Sequence, residues 1–519
     1  MDKSIATLRS VDHWRRLWLL LFLVALLAAC AGPALMMDAE RPAPSYAVPP
    51  ATMGLLADTA RRIGEQHGAA NSGFLLLDGS RESLDWRLAI IDSSTSSLDI
   101  VTYLWYPDIV GSLLLERAVL AADRGVHVRL VIDDLLMMGL DQALADIQAH
   151  PNIELRLFNP WKKRSVASRA GEMIAQMERL NIRMHDKLII ADSHATILGG
   201  RNIGDHYFGL SEDFNFHDLD VLAVGPIAQD ANNMFDHFWN SEWIASAENL
   251  TTKPDAEAAE AGWQRVTDRS RNSKELESFA REPKDWSAEF DWLLQHSHPG
   301  TGHLVYDEVS ATGVDQSMIG HMFALFDQAE SELLIANAYV LPGEPSIEFL
   351  QALTARGVDV RILTNSLESH DLPAVNSHYE KWRKPIINAG VSLYELRADP
   401  DISSLVEIPP HSGKFVSFHT KAAVIDQKRV FVGSMNLDPR SANINTEMGA
   451  IIDSSGLAKS LREIILRDMR GENSWQVTLN ENGKLEWVNS DETSNKQPSR
   501  GFMQNVMNVV LKVVPKEQN

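Results

Sequence analysis

The chain repeats itself, and the repeat limits its fold more than any other feature. Arg124-Gly125-Val126-His127-Val128-Arg129 returns 232 residues later as Arg356-Gly357-Val358-Asp359-Val360-Arg361. Both copies have the same surroundings. Leu98–Tyr103 and Glu332–Tyr339 are aliphatic, β-branched and aromatic runs that read as buried strands. An amphipathic segment follows each, around Leu113–Ala122 and Ile347–Ala355, and the glycine of the repeated motif closes it as a helix. The Val/Ile run beyond that glycine is the next strand. A second pair of matched segments recurs at an offset of 234 residues. Two blocks in one order at nearly one offset predict two homologous α/β halves, each with a mostly parallel or mixed sheet covered by helices on both faces. A length of 519 residues leaves room for such a duplication.

The second matched pair carries the chemistry. Met184-His185-Asp186-Lys187 runs on through Leu188-Ile189-Ile190-Ala191 to Asp192, and Gly199-Gly200-Arg201-Asn202 follows. Its partner is Phe418-His419-Thr420-Lys421 through Ala422-Ala423-Val424-Ile425 to Asp426, with Gly433-Ser434-Met435-Asn436 beyond. Both read His-x-Lys-x(4)-Asp. Side chains alternate along a strand, so His185 and Lys187 share a face, as do His419 and Lys421. Asp192 and Asp426 complete the two motifs and are counted among the catalytic residues, but they fall on the opposite face, which gives them a supporting role and no part in proton transfer. Lysine offers a fixed positive charge suited to a phosphate oxygen, and an Asn amide adds a neutral donor. An imidazole is a nucleophile when neutral and a general acid when protonated. Two of them across a pseudo-two-fold axis allow one to attack phosphorus while the other protonates the leaving oxygen, through a phosphohistidine. No His/Cys/Asp cluster has ligand spacing, so neither a metal nor another cofactor is expected.

Composition narrows the partners. Lys plus Arg number 48 against 70 Asp plus Glu, a net charge of −22, and an acidic surface of this size argues against non-specific nucleic-acid binding. A single cysteine rules out a disulfide framework. It lies at the end of a leader: Arg15 and Arg16 precede thirteen unbroken apolar residues, Leu17 to Ala29. That run is shorter than the ~20 residues of a spanning helix and has the length of a secretory h-region. Leu27-Ala28-Ala29-Cys30 resembles a bacterial lipobox, which predicts lipidation at Cys30 and a lipid-anchored protein of the bacterial cell envelope, facing the periplasm. Pro33, Pro42, Pro44, Pro49 and Pro50 then favour an extended tether.

The paired His-x-Lys-x(4)-Asp segments resemble the phospholipase D superfamily. More narrowly, Gly199-Gly200-Arg201-Asn202-Ile203-Gly204-Asp205, Phe238-Trp239-Asn240-Ser241, Gly433-Ser434-Met435-Asn436-Leu437-Asp438-Pro439-Arg440-Ser441 and Asn445-Thr446-Glu447 resemble the C-type bacterial cardiolipin synthases. The resemblance runs from about Ser72 to the C-terminus. It implies a two-lobed α/β fold, two α/β/α sandwiches related by a pseudo-two-fold axis with the site between them. It implies phosphatidyl transfer from phosphatidylethanolamine or phosphatidylglycerol to phosphatidylglycerol. By the same resemblance His185 is the nucleophile and His419 the general acid, an assignment that the near-symmetric halves leave open to exchange. Lys187, Lys421, Asn202 and Asn436 would hold the phosphoryl oxygens, and Asp218 and Glu447 match the family's supporting carboxylates. Arg201 is either a further charge at the phosphate or a surface ion pair. Tyr103-Trp105-Tyr106 either lines the acyl side of the cleft or is core.

The chain divides accordingly into a lipoprotein signal peptide ending at Cys30 (1–30), a proline-rich tether (31–70), a first lobe (71–248), a connecting region (249–300), a second lobe (301–472) and a C-terminal part (473–519). Residues 249–284 show little apolar periodicity and read as poorly defined structure. Trp475–Val488, with Asn482-Gly483 in the middle, reads as a hairpin, and Phe502–Val514 as an apolar helix against a membrane interface or the globular body. Three functions compete: a membrane-facing transferase making cardiolipin, a hydrolase releasing phosphatidic acid, and a non-enzymatic binding lipoprotein. Two complete His-Lys sets argue against the last.

Overall fold

The computed structural model describes residues 42–162, 164, 172, 176–250, 253–501 and 504. The leader, Cys30, the first part of the proline-rich segment and nearly all of the apolar tail at 502–514 lie outside the described residues. No described helix is long and apolar enough to cross a membrane.

The first half contains strands β1 (Ser72–Leu77), β2 (Ser97–Thr102), β3 (His127–Asp133), β4 (Ile153–Phe158), β5 (Lys187–Ala191), β6 (Ala195–Gly199), β7 (Asn215–His217), β8 (Asp220–Val224) and β9 (Ile244–Ser246). All but β7 form a sheet in the order β9-β4-β3-β2-β5-β6-β8-β1, parallel across β2, β3 and β4 and antiparallel elsewhere. The second half opens with β10 (His298–Tyr306) and a small ribbon of β11 (Val309–Ser310) and β12 (Gly313–Val314). It continues with β13 (Glu332–Asn337), β14 (Asp359–Asn365), β15 (Ser392–Leu396), β16 (Val416–Phe418), β17 (Lys421–Ile425), β18 (Arg429–Gly433) and β19 (Met448–Asp453). A closing meander adds β20 (Ser474–Leu479), β21 (Leu485–Val488) and β22 (Thr493–Ser494). The sheet order here is β10-β19-β18-β17-β13-β14-β15-β20-β21-β22, with β13, β14 and β15 parallel. The halves therefore repeat one topology, and β1 pairs with β10 to join their sheets edge to edge.

The repeated Arg-Gly-Val motif works as its chemistry requires. Helix Ile109–Asp123 is capped at its start by the Asp108 carboxylate, which accepts the Gly111 N–H at 3.0 Å. Gly125 and Gly357 end the two crossover helices at φ 92° and 90°, a left-handed conformation that favours glycine. The chain then enters β3 and β14 parallel to β2 and β13. Helices Ile227–Trp239 and Ser455–Asp468 pack between the inner faces of the sheets. Phe235, Phe238, Leu461 and Ile465 share one apolar cluster with Val101 and Leu188 of the first half and Leu334 and Val424 of the second. A core shared this way fuses the halves into one body.

Three expectations need correction. Residues 42–70 are not a free tether. Ser45 and Ala47 donate backbone N–H groups to Asn240 and Asp236, the Trp239 indole donates to Ser45, and Leu55–His67 is a helix against β1. The prolines forbid regular structure yet leave carbonyls and N–H groups free to bond to the first lobe. The connecting region likewise contains regular structure: Ala256–Asn272 is a helix, capped by Asp255. Its only fully buried residue is Ser270, so it has little apolar stripe to read. It is held by polar contacts instead, Ser270 and Arg271 both donating to Glu116 on helix Ile109–Asp123. The third concerns Asp192 and Asp426, below.

Candidate active site

β5 and β17 occupy equivalent central positions, each antiparallel to the first parallel strand of its half, with Lys187 opposite Thr102 and Lys421 opposite Asn337. The histidines stand just before these strands. Their backbones are fixed by matching side chains at the ends of β3 and β14: Asp133 accepts the Met184 N–H at 3.0 Å, and Asn365 accepts the Phe418 N–H at 2.9 Å.

The halves then exchange partners. β16, leading to His419, pairs in parallel with β7 of the first half, and Met184, before His185, bridges to Thr446 of the second. His185 N donates to Thr446 O at 3.1 Å and His419 N to His217 O at 2.8 Å. Each seam ends in a carboxylate. His185 Nδ1 lies 2.9 Å from Glu447 Oε2, and His419 Nδ1 lies 2.6 Å from Asp218 Oδ2. Each imidazole is thus oriented by a carboxylate from the opposite half, leaving its Nε2 for a substrate. Lys187 donates to the carbonyl of His185 at 2.5 Å, and Lys421 to that of His419. Both lysines, both histidines and both carboxylates are buried.

Burial makes this cluster electrostatically tense. Desolvation first, then the charges of Lys187 and Lys421, push the His185 imidazole well below its usual value, into the neutral form. His419 is lowered too, by burial and Lys421, but Asp218 opposes the shift. Burial would raise Asp218, yet the neighbouring His419, Lys421 and Arg201 outweigh it and hold the carboxylate below its ordinary range. Glu447 goes the other way: desolvation drives it well above the carboxylate range despite Lys187 and the Ser434 hydroxyl. The supports are therefore unlike: Asp218 beside His419 is held below the carboxylate range, and Glu447 beside His185 is driven above it. Burial lowers Lys187 to about 7 and Lys421 to about 8. An anionic phosphate arriving between them would restore their full charge.

Other residues of the sequence patterns lie elsewhere. Asp192 and Asp426 are at the far ends of β5 and β17, at φ 54° and 51° in matching turns. The Asp192 carboxylate accepts the backbone N–H groups of Thr95, Ser96 and Ser97, and that of Asp426 those of Glu330, Ser331 and Glu332. Five strand residues, roughly 16 Å, separate them from the histidine ends. They anchor turns, and their place among the catalytic residues is withdrawn. Arg201 is neither at the surface nor free for a phosphate: it is buried against Asp220 and the carbonyls of Leu77, Asp78 and Tyr207. Asn202 donates to the Tyr207 hydroxyl at 2.7 Å and accepts the Leu104 N–H. Asn436 is buried with its amide oxygen unpartnered. Of the aromatic trio, Tyr103 lies edge-on to His185 with ring centres 5.2 Å apart, while Trp105 is core.

Two features escaped the sequence reading. Tyr207 and Phe216 wall the His419 ring, with centroids 5.4 and 4.7 Å away. The small pairs Gly199-Gly200 and Gly433-Ser434 differ for a reason. The Ser434 hydroxyl donates to Glu447 Oε2 at 2.5 Å, whereas a Cβ at Gly200 would stand 2.1 Å from Asp218 Oδ1. The mismatch between the two motifs was visible and marked the spot.

The chain is similar to known proteins over both lobes. A family described as "Cardiolipin synthase, PLD-like domain" matches residues 88–239 and 322–469, one match per lobe. Cardiolipin synthase C of Escherichia coli (strain K12) is 32% identical over 488 residues, covering 90% of this chain and 99% of that protein. Cardiolipin synthase B of the same strain is 23% identical over 373 residues, 72% of this chain and 74% of that one. Among solved structures, the phosphatidylserine synthase of Haemophilus influenzae Rd KW20 superposes with a TM-score of 0.55 at 14% identity, over 89% of this chain and all of that one, a likeness of fold. Two matched units over both lobes, and a relative alike along nearly the whole length, place this chain in the cardiolipin synthase family of the phospholipase D superfamily, a family of phosphatidyltransferase enzymes.

Proposed function

We propose that the protein makes cardiolipin by moving a phosphatidyl group from phosphatidylethanolamine or phosphatidylglycerol to a second phosphatidylglycerol, through a phosphohistidine on His185. The observation that carries this reading is the pair of buried imidazoles, each backed by a carboxylate of the opposite half and flanked by a lysine. In the first step Nε2 of neutral His185 attacks phosphorus, the bond to the headgroup oxygen breaks, and His419 gives that oxygen its proton. In the second, the acceptor hydroxyl loses its proton to His419 as its oxygen attacks phosphorus, and the bond to His185 breaks. The unlike carboxylates favour this division: ionised Asp218 supports the group that must carry a proton, and the strongly lowered His185 suits a nucleophile. Lys187 and Lys421 are suited to the phosphoryl oxygens, and the NH2 group of Asn436 would add a neutral donor there.

The lipobox-like Leu27-Ala28-Ala29-Cys30 would hold the protein on an envelope membrane facing the periplasm, where donor and acceptor are both concentrated. Purified protein in mixed vesicles of the two lipids should form cardiolipin with release of ethanolamine or glycerol. Phosphatidic acid alone at every phosphatidylglycerol fraction would make the enzyme a hydrolase, because water then wins the partition of the intermediate. Cys30→Ser should abolish lipid modification, and an unmodified Cys30 in the membrane-bound wild type would remove the anchor.

A further inference from the structure

An apolar cavity of about 140 Å³ lies inside the first lobe. Leu115, Leu130, Ile132, Met137, Leu144 and Ile147 line most of it, with Ser112 a small polar exception, so it offers little to hold a water. Dry cavities of this size, near 150 Å³, take up small apolar molecules such as benzene. Its edge is formed by Tyr106, Pro107 and Arg269. One wall is helix Ala256–Asn272, held in place by the Ser270 and Arg271 contacts to Glu116 and by Arg269, which donates to the Pro107 carbonyl.

The position of Tyr106 links this cavity to the reaction site. It is three residues beyond Tyr103, whose ring packs against His185, and three extended residues span roughly 10 Å. The Tyr106 N–H bonds to Ile203 O at 2.9 Å, in the segment after Asn202. Its phenol feels the charge of Asp371 in the second lobe, and Asp371 in turn feels that of His419. The Tyr106 ring also meets His206 edge-on, centroids 6.5 Å apart, so it stands between the segment after Asn202 and the cavity it helps to line. A bilayer's hydrocarbon core is ~30 Å thick, so one leaflet's acyl chains reach about 15 Å, farther than this separation.

We propose that the cavity is a binding site for the end of one acyl chain of a phospholipid substrate, with Tyr106 at its mouth. The proposal rests on the phospholipid reading above and adds a chain-length preference located in the first lobe. A phospholipid held by its phosphate alone could turn either ester oxygen toward His419, the proton donor; a chain seated beside Tyr106 fixes which way the diester faces.

Two measurements test it on the full-length protein. The first compares kcat/KM for long-chain phosphatidylglycerol in vesicles with that for bis(p-nitrophenyl) phosphate, which has no acyl chain. Ile147→Trp, and separately Ala143→Trp at the outer edge, should lower the ratio of the two at least ~10-fold, the scale of a mis-sized apolar pocket. Equal losses on both substrates in both variants would overturn the proposal. The second uses phosphatidylglycerol carrying a diazirine at its chain terminus, followed by peptide mapping. Label should appear on residues 137–147 or 266–269 of the wild type and fall in Ile147→Trp; label confined to other segments would overturn it. If the wild type is labelled there but its lipid product is never cardiolipin, the acyl site stands and the transferase reading falls.

Discussion

His185 of the first half is oriented by Glu447 of the second, 2.9 Å from Nδ1, while Asp218 of the first half orients His419 of the second. The two supports are driven in opposite directions, Glu447 toward its neutral form by burial and Asp218 below the carboxylate range by His419 and Lys421. Neutral replacements should therefore cost unequal amounts. Asp218→Asn should lower kcat at pH 7 on the order of 10³-fold, and Glu447→Gln about 10-fold, because glutamine preserves a neutral acceptor for the Nδ1 proton. Equal losses would show that both carboxylates carry charge.

Trapping the covalent intermediate separates the histidines. Either alanine variant should cut turnover by several orders of magnitude, and the double variant little more, since the two act as one unit. Rapid quenching with labelled donor should yield a phosphoprotein in His419→Ala and none in His185→Ala. An adduct on His419 would exchange the roles.

The lysines set the alkaline limb of the pH profile. With Lys187 near 7 and Lys421 near 8 in the free enzyme, their cationic forms are lost as pH rises through that window, so kcat/KM should fall between about pH 7 and 8. A bound phosphate raises both values, so kcat should hold to higher pH. Lys187→Arg should move the kcat/KM limb upward, arginine staying charged throughout. A kcat/KM still rising at pH 9 would contradict the lowered lysines.

Gly200 should tolerate nothing larger. An alanine Cβ would meet Asp218 Oδ1 at 2.1 Å and push the carboxylate from His419. Gly200→Ala should thus behave like Asp218→Asn in kcat while keeping a cooperative thermal transition. Ser434→Ala, which removes only the hydroxyl on neutral Glu447, should be milder.

The conserved spacing of Asp192 and Asp426 within the two motifs reports on folding. Asp192→Ala leaves the N–H groups of Thr95, Ser96 and Ser97 without their acceptor and should cost about 3 kcal/mol in denaturant titrations. Turnover per folded molecule should stay near wild type. A large loss of kcat in a fully folded variant would return Asp192 to the catalytic set.

Much of this was legible before any coordinates. Duplication, strand order around the Arg-Gly-Val motif, and the His-Lys face all follow from local periodicity, which records what each strand must bury. Strand alternation likewise placed Asp192 on the face away from His185. What stayed hidden depends on contacts between distant segments. Nothing near Asp218 in sequence says that it serves His419 and not His185, since that pairing arises where β7 meets β16. Helix Ala256–Asn272 was missed because it is fixed by Glu116 and not by an apolar stripe, and the 42–51 segment because its bonds are made to a helix nearly 200 residues away.

The crossing of β16 onto β7 has a consequence for ancestry. A chain with only one half would own a histidine and a lysine but would aim its carboxylate at an empty place. It would gain a working centre only by binding a second copy of itself head to head, each protomer lending the other its acid. In that homodimer both supports would be identical. Joining two halves in one polypeptide removes the requirement for self-association, and it leaves aspartate and glutamate, or glycine and serine, free to differ at equivalent positions. A fixed division of labour, with one imidazole for attack and one for the proton as proposed above, is thus something that two identical supports would not encode and two unlike ones can.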